Sequence, residues 1–224
     1  MEDIVFLPAG DCALVAEFGN EIDENINNKV HALAQWITAR KVRGVIEVLP
    51  TFRSLMVTYD PCKTSYKRLT KILRKCSFDH LGTEGVKKEI IEVPCCYDGP
   101  DMDDMVTLTG LSREEIIAIH SGTDYKIYMM GFLPGFVYLG GLDKRIHAPR
   151  LSTPRTRIEP GSVGIGGSQT GVYPVASPGG WRILGYTPLK FYDPAKDEPI
   201  LCRAGQYIRF VPISREEYEK AVAK

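Results

Sequence analysis

Two arginines that each follow a proline are the residues best suited to chemistry in this sequence. Arg150 and Arg155 lie in the stretch 143–159, where positive charges outnumber negative ones by three. Proline restricts φ and therefore fixes the backbone before each guanidinium. The planar fork of arginine fits a carboxylate or a phosphate. The pattern predicts anion contacts by Arg150 and Arg155, and ion pairs with surface acids are the alternative.

The segment 131–141 places rings between residues that bend the backbone. Six apolar or aromatic side chains stand there among glycines and a proline, so ring faces can be presented at a surface. We interpret Phe132, Pro134 and Phe136 as part of a wall for a substrate or partner. A core hairpin with a Pro-Gly turn is the alternative, and the local sequence does not separate the two.

A glycine-rich segment at 161–171 has the composition of a phosphate loop but not its pattern. It lacks G-x-x-x-x-G-K-[ST], and the G-x-G-x-x-G frame that starts at Gly164 fails at Gln169. Its β-branched residues favour a strand in which glycine leaves room for a ligand or another chain. A tight Pro-Gly-Gly turn then leads to the large ring of Trp181.

The remaining reactive residue types form no recognisable cluster. The four histidines lack metal-ligand spacing, the six cysteines include no C-x-x-C pair, and no nucleophile elbow is present. The sequence therefore predicts no metal site and reduced thiols. His120 is a candidate proton carrier, because the ordinary histidine pKa lies near neutrality. A structural histidine at the end of a helix is the alternative.

Charge balance argues against nucleic acid as a partner. The chain has 28 basic and 28 acidic residues, and the split after Lys88 gives 13 and 11, then 15 and 17. A nucleic-acid binder usually carries a strong basic excess. The N-terminus is acidic where a signal peptide needs positive charge, and no apolar run reaches the ~18 residues of a membrane helix. We expect a cytoplasmic protein that contacts no membrane.

Hydrophobic spacing predicts a small antiparallel α+β domain at residues 1–85. One helical stripe recurs every three or four positions and consists of Ile22, Ile26, Val30, Leu33 and Ile37. Strand patterns flank this helix, a second helix follows Pro61, and residues 89–93 form a further strand pattern. The order β-β-α-β-β-α-β is typical of such a domain. The polar stretch 78–88 is interpreted as a linker.

Residues 86–224 have the composition of a mostly β domain. The stretch 131–185 holds 12 of the 21 glycines and 6 of the 15 prolines, so its strands must be short and tightly turned, as in a closed barrel or sandwich. Further strands are predicted at 182–185, 189–192, 200–203 and 207–213. Three short helices are predicted, and two of them begin with capping boxes, Ser112 with Glu115 and Ser214 with Glu217.

Motifs across the chain resemble the allophanate hydrolase subunit 1 family. They occur in the family's order and are densest between residues 131 and 188: G-F-L-P-G-F, P-R, P-R, P-G-S-V, Q-T-G-V-Y-P, S-P-G-G-W and G-Y-T-P. The resemblance implies a cyclophilin-like barrel after the α+β domain. Two departures stand out, because the family usually has arginine at the position of Tyr186 and aspartate at that of Gln206. The first removes a positive charge, and the second is expected to alter a turn.

The resemblance also implies an activity. The family includes the B subunits of bacterial ATP-dependent 5-oxoprolinases, hydrolases that open the lactam of 5-oxo-L-proline to L-glutamate. It implies that ATP is shared with a partner protein. The sequence does not specify the metal that accompanies ATP. The resemblance also implies a hetero-oligomer with C-like (allophanate hydrolase subunit 2 family) and A-like partner proteins. A lone chain is then expected to be inactive, because it offers no complete site.

For that composite site the residues with suitable chemistry are spread over the second domain. We expect His120 and Arg155 to be catalytic, and the substrate or partner contacts to be Phe132, Pro134, Phe136, Arg150, Ser162, Gln169 and Trp181. Two other functions stay open: a histidine-kinase inhibitor that docks through segment 131–141, and half of a urea- or allophanate-processing carboxyltransferase.

Overall fold

The computed structural model describes residues 4–78 and 88–223, and the chain divides into two units, residues 1–87 and 88–224. The predicted linker, residues 78–88, includes residues 79–87, which lie outside the described part. Each unit has its own buried core of apolar side chains.

The first unit is a four-stranded antiparallel sheet in the order β1-β2-β4-β3 with two helices. Its elements are β1 Val5–Ala9, β2 Ala13–Glu17, α1 Glu24–Ala39, β3 Val45–Pro50, β4 Ser54–Tyr59 and α2 Tyr66–Leu73. The predicted stripe is confirmed for Val30, Leu33 and Ile37, which are buried. Ile22 lies before the helix and is 54% exposed, because Asp23 caps the first turn by accepting the N–H of Ile26.

The second unit is built on a seven-stranded sheet in the order β12-β9-β10-β7-β6-β13-β5. Its strands are β5 Ile90–Cys95, β6 Asp124–Met130, β7 Val137–Gly140, β8 Arg155–Ile158, β9 Ser162–Gly166, β10 Gln169–Val172, β11 Ser177–Gly179, β12 Arg182–Tyr186 and β13 Tyr207–Pro212. Its helices are α3 Met102–Thr109, α4 Arg113–Ser121 and α5 Arg215–Val222. Strands β8 and β11 form a separate two-stranded ribbon.

The two ends of the large sheet meet, so it is a nearly closed barrel. Cys96 and Tyr186 exchange two backbone hydrogen bonds of 2.9 Å, and the N–H of Gly99 donates to the carbonyl of Leu184 at 2.9 Å. The predicted class, an α+β unit followed by a mostly β barrel, is confirmed. Both predicted capping boxes are also confirmed, at the starts of α4 and α5.

Two strand predictions are wrong. Residues 189–192 and 200–203 form only a single bridge between Tyr192 and Ile200, because Pro188, Pro194 and Pro199 lack the N–H donors that a ladder requires. The strand predicted at 89–93 does form, as β5, but it pairs in parallel with β13 in the barrel sheet. It therefore does not complete the first unit's sheet.

Candidate functional site

Trp181 lies across the hairpin of β9 and β10 and fills the space that its glycines leave. A Cβ placed on Gly166 would lie 2.3 Å from Nε1 of Trp181, and one on Gly171 would lie 3.0 Å from Cζ3. The predicted room for a ligand in segment 161–171 is thus occupied by the protein's own indole. This segment therefore does not fit a nucleotide phosphate.

Trp181 belongs to a second, aromatic cluster of the barrel unit, which consists of Phe136, Ile158, Tyr173, Trp181 and Ile183. Phe136 packs edge-to-face against Tyr173 and Trp181, with ring centres 5.1 and 5.5 Å apart. Phe136 is 1% exposed and Trp181 4%. These two predicted contact residues are therefore packed into the cluster, which for Phe136 is the core alternative.

Phe132 differs from them because it faces solvent. Its ring is 63% exposed, and its φ of 70° lies in the left-handed region, which is uncommon for a residue with a Cβ. The turn that follows is closed by the N–H of Phe136 donating to the carbonyl of Leu133 at 3.0 Å, with Gly135 at φ 79°. Pro134 is also exposed. The structure leaves both residues available to a partner, and their predicted role stays a prediction.

Backbone hydrogen bonds fix the chain on both sides of Arg150, and its guanidinium has no carboxylate partner among the described residues. On one side the carbonyl of Pro149 accepts from Nε of Arg182 at 3.1 Å, and on the other the N–H of Leu151 donates to the carbonyl of Gly180 at 2.7 Å. Arg150 itself is exposed and forms no salt bridge within the described residues. The surface-acid alternative therefore does not describe Arg150.

That alternative does describe two other arginines of the basic stretch. Arg145 pairs with Asp143 at 2.7 Å and Arg157 pairs with Glu159 at 2.6 Å, both on the exposed surface. Contact with Arg145 lowers the pKa of the Asp143 carboxyl to about 2. These two pairs use both acids of the stretch 143–159, so its excess of three positive charges consists of Lys144, Arg150 and Arg155.

Arg155 is bound to a buried carboxylate that sequence reasoning missed. Its Nη2 donates to Oδ1 of Asp101 at 2.6 Å, and Nη1 donates to the carbonyl of Trp181 at 3.4 Å. The other oxygen of Asp101 accepts the backbone N–H of Ile183 at 2.6 Å. Asp101 is 3% exposed, and the Arg155 side chain is 31% exposed. This geometry favours a structural ion pair for Arg155 over the anion contact predicted from its sequence context.

Asp101→Asn is expected to lower the free energy of unfolding by about 1–2 kcal/mol. The amide can still accept from Ile183, but the charge-assisted bond to Arg155 is lost. The exposed part of the guanidinium can be solvated, which limits the cost. Urea unfolding measures the change, with Glu159→Gln as control, because its pair with Arg157 is exposed and should change stability by less than about 0.5 kcal/mol. Equal effects of the two substitutions would contradict the structural importance of Asp101.

His120 is buried and fully hydrogen-bonded. Its Nδ1 lies 2.7 Å from the Tyr97 hydroxyl and its Nε2 lies 2.8 Å from Oγ1 of Thr170. Thr170 donates its hydroxyl hydrogen to the carbonyl of Gly164 at 3.0 Å. It must therefore accept from Nε2–H of His120, and Nδ1 must accept from Tyr97. This arrangement satisfies a neutral imidazole at both nitrogens.

Burial lowers the pKa of His120 to about 3, so the premise of a proton carrier with a pKa near neutrality does not hold. The ring is 0% exposed and stacks on Phe210, with centres 4.6 Å apart. The structural alternative fits these observations. The histidine links α4, on which it lies, to the barrel strand β10 through Thr170.

Ser162 and Gln169, expected to orient a ligand, lie at opposite ends of the hairpin. The hydroxyl of Ser162 donates to the carbonyl of Glu159 at 2.7 Å, and the residue is 2% exposed. It therefore holds a turn. Gln169 is different, because its Nε2 is buried and has no hydrogen-bond partner in the part of the chain that is described.

The structure shows the contacts of Tyr186 and Gln206, the two residues that depart from the family pattern. Tyr186 ends β12 near the ion pair, since the charges of Arg155 and Asp101 both act on its hydroxyl, whose pKa is raised, mainly by burial. Gln206 accepts the backbone N–H of Arg203 through Oε1 at 2.6 Å and so belongs to a turn.

Metal-binding clusters and membrane-spanning helices are both absent from the described residues. Within residues 4–78 and 88–223, no group of three or more His, Cys, Asp or Glu side chains could hold a metal ion. No helix in these ranges is long and apolar enough to cross a membrane.

The chain consists of an α+β unit followed by a nearly closed barrel with an aromatic cluster. Comparison with known proteins identifies the class of protein that has this fold. The family described as carboxyltransferase domain, subdomain C and D, matches residues 4–202, and the chain belongs to this family. Among curated proteins, the 5-oxoprolinase B subunit of Bacillus subtilis is 42% identical, covering 93% of this chain and 92% of that protein. The family resemblance read from the motifs is confirmed.

More distant relatives share the fold within longer chains. The crystal structure of TTHA0988 superposes with a TM-score of 0.82 at 33% identity, over 90% of this chain and 40% of that chain. Urea amidolyase of Saccharomyces cerevisiae is 25% identical over 97% of this chain, which corresponds to 14% of that protein.

Proposed function

We propose that this chain is the B subunit of a 5-oxoprolinase, which opens 5-oxo-L-proline to L-glutamate in an ATP-dependent reaction. The observation that carries the proposal is the end-to-end match to the Bacillus subtilis 5-oxoprolinase B subunit, at 42% identity over 93% of this chain and 92% of the relative. A match over nearly the full length of both chains is what a shared role in the complex requires. A shared barrel alone would not suffice, because one fold hosts many functions.

The site geometry supports a composite enzyme. A lactam carbonyl is a poor electrophile, and its activation requires positioning and positive charge. In the described residues, the candidate base His120 is buried and neutral, and the glycine-rich hairpin is filled by Trp181. ATP is therefore shared with partner proteins of the A-like and C-like kinds in this proposal, and the accompanying metal is not assigned. All six cysteines are free thiols, which suits the reducing environment of the cytoplasm.

Half of a urea-processing carboxyltransferase is the second candidate. The urea amidolyase relatives favour it, but the yeast protein is 25% identical to this chain, which spans only 14% of its length. The kinase-inhibitor alternative depends on an aromatic docking surface. In segment 131–141, Phe132 is the ring that is largely exposed, whereas Phe136 is 1% exposed.

The isolated chain is expected to release no glutamate from 5-oxo-L-proline and ATP above the uncatalysed background. The mixture with its A-like and C-like partners is expected to do so, because only together do the three proteins complete the site. Glutamate release is measured for all single, paired and triple combinations, with omission of ATP as the control. Activity of the isolated chain would contradict the composite site, and an inactive triple mixture would contradict the proposed function.

A further inference from the structure

A buried hydrogen-bond donor without a partner among the described residues, Nε2 of Gln169, lies beside the indole of Trp181 on one face of the barrel sheet. Gln169 and Gly166 are directly paired across β10 and β9, so their side-chain positions share a face. A Cβ on Gly166 would touch Nε1 of Trp181, which places the indole N–H beside Gln169. The buried Nε2 of Gln169 is unpartnered, and the indole N–H forms no hydrogen bond with the described residues.

Arg150 adds a positive charge at the same place. The Cζ atom of Arg150 lies 6.0 Å from the ring centre of Trp181, and its charge acts on the neighbouring hydroxyls of Tyr138 and Tyr173. The other arginines around it are each bound to a carboxylate at 2.6 or 2.7 Å: Arg145, Arg155, Arg157 and Arg182. The guanidinium of Arg150 has no such partner within the described chain.

A buried donor without an acceptor is unfavourable, and the positive charge of Arg150 near the same indole favours an acceptor that is negative. Arginine and amide donors together match the two oxygens of a carboxylate. We propose that Arg150, Gln169 and Trp181 bind the carboxylate of a small cyclic substrate. The identity of that ligand as 5-oxo-L-proline rests on the proposed function. The three residues are binding residues in this proposal, and the bond-breaking chemistry is not assigned to them.

Trp181 itself reports occupancy. The chain has two tryptophans, so Trp36→Phe leaves Trp181 as the single indole fluorophore. We expect 5-oxo-L-proline to change its emission saturably, and 2-pyrrolidinone, the same lactam without the carboxylate, to change it far less. Arg150→Met in this background should weaken binding roughly 10- to 150-fold, the range for a lost charge-assisted hydrogen bond. Gln169→Leu should also weaken binding, by a smaller factor.

Arg145→Met is the matched control, because Arg145 is exposed and already paired with Asp143. It should bind like the parent, and circular dichroism spectra should show that all variants are folded. An absent emission change, equal responses to both lactams, or parental binding by Arg150→Met would overturn the carboxylate site. The titration measures binding and needs no turnover. An inactive reconstituted complex would therefore contradict the proposed function, whereas the carboxylate site is decided by the titration alone.

Discussion

Gly185→Ala is expected to lower the free energy of unfolding of the barrel unit by about 3 kcal/mol. A Cβ at this position would lie 2.3 Å from the carbonyl oxygen of Cys96 and 2.9 Å from Cα of Tyr97. Both are backbone atoms of the segment that closes the barrel, so neither can move aside like a flexible side chain. Overpacking of this kind usually costs about 1–3 kcal/mol, and the rigid neighbours place this site at the upper end.

Thermal unfolding measures this change, with Gly180→Ala as the control. A Cβ on Gly180 meets nothing closer than 3.6 Å, and its φ is not in the left-handed region. That substitution should change stability by less than about 0.5 kcal/mol, whereas Gly185→Ala should lower the melting temperature by roughly 6–12 °C. Similar melting temperatures for the two variants would show that the sheet is not closed between Cys96 and Tyr186.

Local signals in the sequence predicted most of the elements, because helix periodicity and capping depend on residues a few positions apart. The stripe of α1 and the capping boxes of α4 and α5 are examples. Barrel closure could not be predicted in this way. It depends on Cys96 meeting Tyr186, 90 positions further along the chain, and neither residue carries a pattern that indicates its partner.

The candidate site shows the same division between local and long-range information. Arginine after proline is a local signal, and it identified Arg150 and Arg155 equally. The structure separates them through Asp101, which lies 54 residues from Arg155 and neutralises one guanidinium but not the other. Trp181 was expected to line a ligand site, but it fills the glycine hairpin. In the proposed carboxylate site, Trp181 contributes its N–H edge, next to the Gln169 amide that has no partner among the described residues.

Acidification from pH 6.5 to 4.5 is expected to destabilise the protein by roughly 2 kcal/mol through His120 alone. The folded-state pKa of His120 is about 3, below the ordinary value near 6.5 that applies in the unfolded chain. Between these values the unfolded state binds a proton that the folded state does not. Stability therefore falls as pH decreases, with a slope that approaches about 1.4 kcal/mol per unit well below pH 6.5. This contribution is fully present well above pH 6.5.

The physical reason is that charging His120 disrupts a complete hydrogen-bond chain in the core. A protonated ring has two donors, but the neutral arrangement needs Nδ1 to accept from the Tyr97 hydroxyl. The groups that face the ring include the phenols Tyr97 and Tyr125 and the ring of Phe210. None of these three is a carboxylate that could compensate a positive charge in a low-dielectric core.

The test compares urea unfolding from pH 7 to 4.5 in the parent and in His120→Gln, which keeps a donor and an acceptor but cannot titrate. The exposed carboxylates and the other histidines contribute equally to both proteins, so the difference between the two slopes isolates His120. The parent should lose stability more steeply. If His120→Gln does not fold, NMR titration of the parent imidazole decides the matter. A ring that becomes protonated above pH 5 in the folded state would contradict the buried neutral histidine and reopen its role as a proton carrier.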